Sequence, residues 1–523
     1  MEPEGHEADN LAAAAGAAAW PPTLAPVWLE AQAGLSPRKV AVVLPESGGR
    51  VTYAELVEGA ARVAGGLRAL GVGPGDRVAV LALNGLPTIE LLFACGHLGA
   101  ILVPLNYRLA EPELLWLGAN AEPKVLLHED QFTTAARAVA RATGAQLVSL
   151  ETPAADGFAY ATLRAAAPVA AEPQPLAAPW CILYTGGTTG RPKGAILTHG
   201  SVLWNAINTS LSWGLRGDDI APIFTPMFHT GGWNVFTLPL LLIGGTVIVP
   251  RRFEPAAALA ATVQERATLL FLIPTMFQML ADEPGFAAAD LSAVRWAISG
   301  GAPCPDRLYD VYRAKVPVFK QGYGLTEVGP NNFATPDEAA ARKRGSVGRP
   351  TLFVRMRVVD DAGNDLPPGG VGELLLAGPT VCAGYWRNPE DTARAYDGRW
   401  FHTGDLFRYD DEGYYYVVDR KKDLIISGGE NVYPMEVEEA LYAHPAVAEA
   451  AVVGLPDARW GEAVVAVLAL KPGAQATPEE LAAHCRARLA GYKVPKRFEL
   501  RPTLPKSAAG KILRAEARRM LLE

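Results

Sequence analysis

The sequence predicts an α/β protein with a large N-terminal domain of mostly parallel sheets covered by helices, a β-rich subdomain, and a small α+β C-terminal domain. Three observations support this prediction over the 523 residues. Strand-like and helix-like segments alternate through the first two thirds of the chain. After about residue 350, short apolar runs are joined by Asp-Gly and Pro-Gly turns. After Arg420, helical and strand patterns follow each other again, as in a separate small domain.

The alternation is clearest near the N-terminus. Residues 53–70 carry apolar side chains at helical spacing, and the turn GVGPGD leads into the buried-strand pattern RVAVLAL. LPTIELLFACGHLGA then predicts a helix and ILVPL another strand. The same order returns at AAALAATVQERAT and LLFLIP, and LYDVYRAKV is predicted to be a crossover helix between RWAISGG and VFKQGYG. Such alternation is typical of parallel sheets.

The C-terminal region has its own pattern. EVEEALYAHPAVAEAAVVGLPD predicts a helix followed by a strand. TPEELAAHCRARLAGYK predicts a helix that begins at a capping signal formed by Thr477 and Glu480. We therefore place a C-terminal domain at residues 422–523, after an N-terminal domain at residues 27–421.

Composition excludes several classes of protein. The net charge is −7 without a block of Lys or Arg, which argues against a nucleic-acid partner. Five widely spaced cysteines offer no zinc pair and suit a reducing compartment. Residues 1–26 are acidic and then alanine-rich, and predict a disordered leader rather than a secretory signal. The apolar run at residues 235–250 is interrupted by Pro239 and two glycines, so we expect a helix, a turn and a strand, with no transmembrane segment, in a cytoplasmic protein.

One segment, YTGGTTGRPKG at residues 184–194, is poorly suited to a regular helix or strand. It follows the predicted strand CILY and precedes AILTHGSVLWNAI, which predicts the start of a helix. A Gly/Thr loop in that position can direct backbone N–H groups and hydroxyls at an anion, and Lys193 adds a positive charge. It differs from the nucleotide P-loop because Pro192 precedes Lys193 and Gly194 follows it. By itself the loop indicates only a phosphate site.

Further motifs narrow the interpretation. The loop resembles the signature of the adenylate-forming superfamily, with Gly186 where that family usually has Ser. Other motifs of the family follow in the same order: PMFHTGG (226–232), SGGAP (299–303), QGYGLTE (321–327), WFHTGD (400–405), DRKKDLIISGGENVYP (419–434) and PKSAAGKILR (505–514). The chain looks most like the acyl-CoA synthetase branch, and within it like the fatty-acid–CoA ligases.

The resemblance implies a reaction in two steps. A carboxylate attacks the α-phosphate of ATP to give an acyl-adenylate and diphosphate, and the thiol of CoA then displaces AMP. It also implies Mg²⁺, with ATP and CoA as substrates. The expected acid is a medium- or long-chain fatty acid, and the alternative is an aryl acid of the hydroxycinnamate or benzoate type.

The resemblance implies a role for each motif. Lys511, His229 and Glu327 are the expected catalytic residues, and Thr185 and Glu327 the expected Mg²⁺ ligands. Tyr323 is expected to stack on adenine, Asp405 and Arg420 to hold the ribose, and Thr326 to meet the α-phosphate. The full set expected to bind ATP or AMP is Thr185, Gly186, Gly187, Thr188, Thr189, Gly190, Lys193, Gly301, Ala302, Pro303, Gln321, Gly322, Tyr323, Gly324, Thr326, Asp405 and Arg420.

Other residues are expected to serve the acid, CoA and a domain movement. The acyl pocket is expected to be lined by His229, Trp233, Gly301 and Gly324. Gly428 and Gly429 are expected to line the CoA channel. The resemblance implies that a mobile C-terminal domain turns about Lys422, the expected hinge, between the two steps. Such a rotation is needed if Lys511 and the GGEN loop lie on opposite faces of that domain, since they could not then both face one site.

Two other functions stay open at this point. The adenylate could be passed to a separate carrier protein instead of CoA, or the chain could bind nucleotides without catalysis. The joint presence of Glu327, Asp405, Arg420 and Lys511 argues against the second. The sequence leaves a homodimer and a peripheral membrane contact open.

Overall fold

The computed structural model describes residues 24–25, 27–152, 158–186, 192–506 and 512–522. Three sheets form the body of the N-terminal domain, and parallel pairs predominate in them, as predicted. In the largest sheet, six strands run in parallel and a seventh is antiparallel at one edge. Its strands, in spatial order, are Lys193–Thr198, Pro179–Thr185, Ile101–Pro104, Arg77–Leu81, Val125–His128, Gln146–Ser149 and Phe158–Ala159.

Two smaller sheets complete this body. One has the order Ile220–Pro222, Thr246–Ile248, Val40–Leu44 and Gly49–Thr52. The other is wholly parallel and consists of Leu269–Leu272, Trp296–Ser299 and Phe319–Gln321. The central strands are almost entirely buried because their sequences are continuous apolar runs, which suit strands covered on both faces.

Helices cover the sheets. The helix predicted at residues 53–70 is present as Tyr53–Ala69, and it begins at the capping box of Thr52 and Glu55. The N-terminal helices are Trp28–Leu35, Tyr53–Ala69, Leu86–Leu98, Glu111–Ala121, Thr133–Thr143, Tyr160–Arg164, His199–Ser212, Thr237–Ile243, Pro255–Gln264, Pro274–Ala281, Asp306–Arg313 and Pro389–Ala395. Short 3₁₀ turns span Asp130–Phe132, Thr230–Gly232, Asp337–Ala339 and Lys421–Asp423.

The β-rich subdomain is antiparallel. The strands Arg355–Val359, Gly372–Ala377, Trp400–Tyr409 and Tyr396–Asp397 lie in that order, and Tyr415–Arg420 also pairs with Trp400–Tyr409. Phe333–Ala334 and Arg349–Pro350 form a separate two-stranded ribbon. The short strands joined by turns that the sequence predicts after residue 350 are therefore confirmed.

The C-terminal domain packs helices on one mixed sheet. Its strands are Ile425–Ser427, Glu430–Val432, Val447–Asp457, Gly461–Leu470 and Arg497–Leu500, and its helices are Pro434–Tyr442, Pro478–Arg486 and Arg514–Leu522. The predicted capping box of Thr477 and Glu480 is present at the start of the second helix.

The structure corrects two predictions. Leu24 and Ala25, assigned to a disordered leader, pair with Pro175 and Gln174, and Ala25 is buried, although their alanine-rich neighbourhood gives no strand signal. The segment after the glycine-rich loop was predicted to start a helix, but Lys193–Thr198 is a strand, and the helix begins only at His199. A short apolar run such as AILT fits both structures, and pairing with the Pro179–Thr185 strand decides between them.

Among the described residues, no helix combines the length and apolar character needed to cross a membrane.

Candidate active site

The glycine-rich segment joins two antiparallel strands and does not lead directly into a helix. Thr185 ends the first strand and faces Lys193, the first residue of the second, across the ladder. Gly186 is exposed, while Gly187, Thr188, Thr189 and Gly190 lie outside the described residues. The loop is therefore anchored by a defined pair at its two ends.

Thr185 and Glu327 meet, as the sequence predicts for a shared metal site. The Thr185 hydroxyl donates to Glu327 Oε1 at 3.2 Å, and the Tyr385 hydroxyl donates to the same oxygen at 3.1 Å. Mg²⁺ prefers oxygen ligands and takes one or two protein carboxylates with water and substrate phosphates. One carboxylate and one hydroxyl at the end of the glycine-rich loop fit that preference.

Lys193 has a carboxylate partner that sequence analysis did not find. Its Nζ lies 2.9 Å from Asp391 Oδ2 and 5.3 Å from the centre of the Tyr385 ring. The hydrogen bond from Lys193 is the largest cause that lowers the pKa of Asp391 to about 2. Asp391 therefore holds Lys193 at the end of the glycine-rich loop.

Asp405 and Arg420 lie side by side on neighbouring strands, where they are paired residues of the antiparallel ladder. Arg420 Nε is 3.3 Å from Asp405 Oδ1, and the Tyr323 hydroxyl donates to Asp405 Oδ2 at 2.6 Å. Burial and then the Asp405 charge raise the pKa of Tyr323, so its hydroxyl stays protonated and donates. A buried carboxylate held in this way can accept hydrogen bonds from a diol.

The remaining residues that are expected to bind the nucleotide lie in the loops that follow two parallel strands. Gly301, Ala302 and Pro303 follow the strand Trp296–Ser299, and Gly301 has a φ of +78°, a conformation that favours glycine. The strand Phe319–Gln321 leads into Gly322, whose N–H donates to Ser299 O at 2.7 Å. Gln321 is buried and its side chain accepts from the Tyr309 hydroxyl at 3.2 Å. Thr326 is half-buried beside Glu327. Ligands bind at this carboxyl edge of parallel sheets.

His229 is an uncharged, incompletely satisfied histidine. Burial, followed by the charge of Arg108, lowers the pKa of His229 to about 4. Its buried Nε2 atom has no hydrogen-bond partner within the described part of the chain. A neutral imidazole with a free ring nitrogen can bind a polar group of a substrate without an ion pair.

Two other residues expected to line the acyl pocket, Trp233 and Gly324, are tightly packed against the backbone of neighbouring segments. The Trp233 ring is 2% exposed and its Nε1 donates to Met227 O, so it packs into the core beside the His229 segment. A Cβ atom at Gly324 would lie 2.1 Å from Pro330 O, so glycine is required there. Trp233 therefore belongs to the hydrophobic core, and contact of these residues with an acid stays a prediction.

The residues expected to form the hinge and the CoA channel follow the Tyr415–Arg420 strand. Lys422 lies in the 3₁₀ turn Lys421–Asp423, and Gly428 and Gly429 form the turn between two short strands with φ of +64° and +83°. Lys511 lies outside the described residues.

Arg514 ties the C-terminal helix to the strand that carries Arg420. Its Nη1 is 2.6 Å from Asp419 Oδ1 and its Nη2 is 2.6 Å from Glu438 Oε2. Asp419 also accepts the Met435 N–H at 2.6 Å. These contacts connect the boundary between the domains with both flanking helices of the C-terminal domain.

Sequence analysis missed Tyr385 and Asp391. Tyr385 reaches Glu327 because its segment forms an isolated bridge with Ala195 beside the glycine-rich loop. Asp391 stands in the first turn of the helix Pro389–Ala395, capped by Asn388, where acidic residues are common. Neither position carries a sequence signal that separates it from an ordinary structural residue.

Two family models match the chain. The model of the AMP-binding enzyme matches residues 29–386, and that of the AMP-binding enzyme C-terminal domain matches residues 436–511.

Several similar proteins align with nearly the whole chain. A feruloyl-CoA synthase of Amycolatopsis sp is 44% identical over 94% of this chain and 98% of its own length. The long-chain-fatty-acid–CoA ligase FadD13 of Mycobacterium tuberculosis is 36% identical over 94% of this chain and 97% of its own. Among solved structures, ATP-bound MatB from Rhodopseudomonas palustris matches with a TM-score of 0.86 and 32% identity over 94% of this chain and 98% of that one.

Proposed function

Because the chain belongs to the AMP-binding enzyme family and is an AMP-forming acid–CoA ligase, we propose that the acid it activates is an aryl acid of the hydroxycinnamate type. The observation that carries this proposal is the 44% identity to feruloyl-CoA synthase, against 36% to the fatty-acid ligase, over nearly the same share of the chain. The alternative acid considered from the sequence thus becomes the first candidate.

In the first half-reaction, one carboxylate oxygen of the acid forms a bond to the α-phosphorus of ATP. The bond from that phosphorus to the bridging oxygen breaks, and diphosphate leaves with the electron pair. The glycine-rich loop and Lys193 would bind the polyphosphate, and Asp405 would accept the ribose hydroxyls. His229 would hold the acid as a neutral donor, and Lys511 would reduce the repulsion between the carboxylate and the phosphate.

Thr185 and Glu327 would hold Mg²⁺, which supplies charge neutralisation at the phosphates when it is bound. Their oxygens are already 3.2 Å apart, so little reorganisation of these two side chains is needed.

In the second half-reaction, the sulfur of CoA bonds to the acyl carbon and AMP leaves, while the thiol proton passes to solvent or to the leaving phosphate. Gly428 and Gly429 would line the path of the pantetheine arm, because a turn without side chains lets a slender chain approach the backbone. Lys422 would be the position about which the C-terminal domain turns.

A fatty acid and a carrier-protein acceptor form the second candidate. The similarity to FadD13 supports a fatty acid as substrate. A fatty acid–[acyl-carrier-protein] ligase of Streptomyces coeruleorubidus is 38% identical over 90% of this chain, and it supports both the fatty acid and the carrier-protein acceptor.

The test follows each half-reaction separately. Diphosphate release is measured with ferulate, 4-hydroxycinnamate, benzoate, octanoate and palmitate, and AMP formation is then measured with CoA or with a purified acyl-carrier protein. We expect the cinnamates to give the highest kcat/KM and CoA to be the acceptor. Preference for palmitate, or transfer only to the carrier protein, would favour the second candidate.

A further inference from the structure

A short segment, residues 380–386, connects the glycine-rich loop with the loop that carries Glu327, and we call it the bridging segment. On one side, the Cys382 N–H donates to Glu327 O at 2.6 Å. On the other side, the Trp386 N–H donates at 2.7 Å to the backbone oxygen of Gly194, in the strand that leaves the glycine-rich loop. Backbone hydrogen bonds therefore fix the bridging segment relative to both loops.

Tyr385 is the residue of the bridging segment that contacts the Glu327 carboxylate. Its hydroxyl donates to Glu327 Oε1 at 3.1 Å, and the same oxygen accepts from Thr185 at 3.2 Å. Burial, followed by the charge of Glu327, raises the pKa of Tyr385, so the phenol stays protonated and remains a donor. Glu327 Oε2 has no donor within the described part of the chain. The carboxylate is thus held through one oxygen, and the other stays available to a cation.

The ring of Tyr385 also contacts the cation of the glycine-rich loop. Lys193 Nζ lies 5.3 Å from the centre of the ring, within the range of a cation–π interaction, and 2.9 Å from Asp391 Oδ2. The Tyr385 N–H donates to Thr392 Oγ1 at 2.9 Å, which fixes the backbone from which the ring projects. One side chain therefore contacts both the expected metal carboxylate and the loop lysine.

Resting on the proposed roles of Glu327 and Lys193 in binding ATP, we propose that Tyr385 is a positioning residue for adenylation, which orients Glu327 through its hydroxyl and Lys193 through the face of its ring. A carboxylate that loses a fixed donor can rotate away from the direction in which it would meet Mg²⁺. The two roles are separable, because one oxygen atom carries the first and the aromatic ring carries the second. Both are the same for every acid.

The first test measures ATP binding by calorimetry without an acid, in Mg²⁺ and in EDTA. In Tyr385→Phe, the affinity for ATP in Mg²⁺ should fall about tenfold, because a hydrogen bond to a charged group is lost, while the affinity in EDTA stays nearly unchanged. In Tyr385→Leu, the affinity in EDTA should also fall, by about threefold, because Lys193 loses the ring. A wild-type affinity of Tyr385→Phe in Mg²⁺ would overturn the proposal.

Tyr396→Phe is the matched control. The Tyr396 hydroxyl donates to Cys382 O at 2.5 Å, so its removal loses a hydrogen bond that holds the bridging segment and does not involve Glu327. We expect this variant to unfold at a lower temperature and to keep the wild-type difference in ATP affinity between Mg²⁺ and EDTA. The same selective loss in Tyr396→Phe as in Tyr385→Phe would mean that Tyr385 only holds the segment, and would contradict the proposal.

The second test compares the half-reactions, with the acid that the wild-type enzyme uses best. Tyr385→Phe should slow diphosphate release about 10- to 100-fold, whereas the synthetic adenylate of that acid should react with CoA at nearly the wild-type rate, since diphosphate has then left. Equal losses in both half-reactions would overturn the proposal. If Tyr385→Phe does not fold, Tyr385→His decides by the same measurements, because imidazole keeps a ring but is too short to replace the phenol oxygen.

The failures of the separate proposals are distinguishable. An enzyme that prefers palmitate loses the aryl-acid function and keeps the role of Tyr385, which is measured without an acid. A normal Mg²⁺ dependence in Glu327→Gln removes Glu327 from the metal site, and the role of Tyr385 with it. An altered dependence in Glu327→Gln beside a normal one in Tyr385→Phe removes only the role of Tyr385.

Discussion

The side chains of Thr185 and Glu327, 142 residues apart in the sequence, meet at a distance of 3.2 Å between Oγ1 and Oε1. One belongs to the end of a strand in the largest sheet, and the other to the loop after the Phe319–Gln321 strand of another sheet. Their meeting places an oxygen pair beside the glycine-rich loop, which is where a metal bound to polyphosphate would need ligands.

If Glu327 is a Mg²⁺ ligand, Glu327→Gln should slow adenylation roughly 100-fold and raise the Mg²⁺ concentration needed for half-maximal rate, because the amide keeps the shape and loses the charge. Diphosphate release across a Mg²⁺ titration measures both effects. Glu338→Gln, an exposed residue, is the control and should leave both unchanged. A normal Mg²⁺ dependence in Glu327→Gln would remove this residue from the metal site.

If Asp405 binds the ribose hydroxyls, Asp405→Asn should raise the KM for ATP about tenfold or more while changing KM much less for 2′-deoxyATP, which offers one hydroxyl fewer. Initial rates with the two nucleotides give the comparison. The exposed Asp397, changed to Asn, should leave both KM values unaltered. An equal effect on both nucleotides would point to a structural role with Arg420 and Tyr323.

Lys511 should matter for the first half-reaction and little for the second, because adenylation brings a carboxylate to a phosphate, whereas thioester formation does not. Lys511→Ala should slow adenylation by a factor on the order of 100 to 1,000. Synthetic acyl-adenylate with CoA should still react at nearly the wild-type rate. Lys506→Ala removes a charge from the same segment, where Lys506 pairs with Glu449, and is the control. Equal losses in both half-reactions, or an intact adenylation, would show that Lys511 lacks this role.

The buried His199 should make the fold sensitive to acid. Burial lowers the pKa of His199 to about 4 from an ordinary value of 6.5, so the unfolded chain binds a proton in this range that the folded chain does not. The contribution of His199 to the free energy of unfolding is fully present above pH 6.5 and is lost as the pH falls toward 4. At pH 5 the loss is about 2 kcal/mol.

His199→Phe tests this linkage. The histidine ring stacks on Trp180 at 4.6 Å with an interplanar angle of 5°, and its Nε2 has no partner within the described part of the chain, so phenylalanine keeps the stack without the titration. Thermal unfolding at pH 7.5 and pH 5 should show a smaller acid-induced drop for the variant. The same drop in both proteins would mean that other groups cause it.

Much of the site could be predicted because its residues belong to motifs. Thr185 with Glu327, and Asp405 with Arg420, are brought together as expected. Thr185, Asp405 and Arg420 lie on strands, and Glu327 lies in the loop that follows one. The presence of a C-terminal domain could be predicted from the change of sequence pattern after Arg420, while the boundary at Lys422 stays a prediction.

The remainder depends on contacts between distant segments. Nothing near Lys193 in the sequence indicates Asp391 as its partner, and nothing near Glu327 indicates Tyr385. The strand Lys193–Thr198 was missed because only pairing with its neighbour distinguishes it from the start of a helix.

The central claim is that this ligase makes CoA thioesters of hydroxylated aryl acids with release of AMP. A competition tests it most directly: equimolar 4-hydroxycinnamate, cinnamate, octanoate and palmitate are incubated with limiting CoA, ATP and Mg²⁺, and the thioesters and nucleotides are quantified by mass spectrometry. The account predicts 4-hydroxycinnamoyl-CoA as the main product, with AMP formed in equal amount. Palmitoyl-CoA as the main product, or ADP in place of AMP, would contradict it.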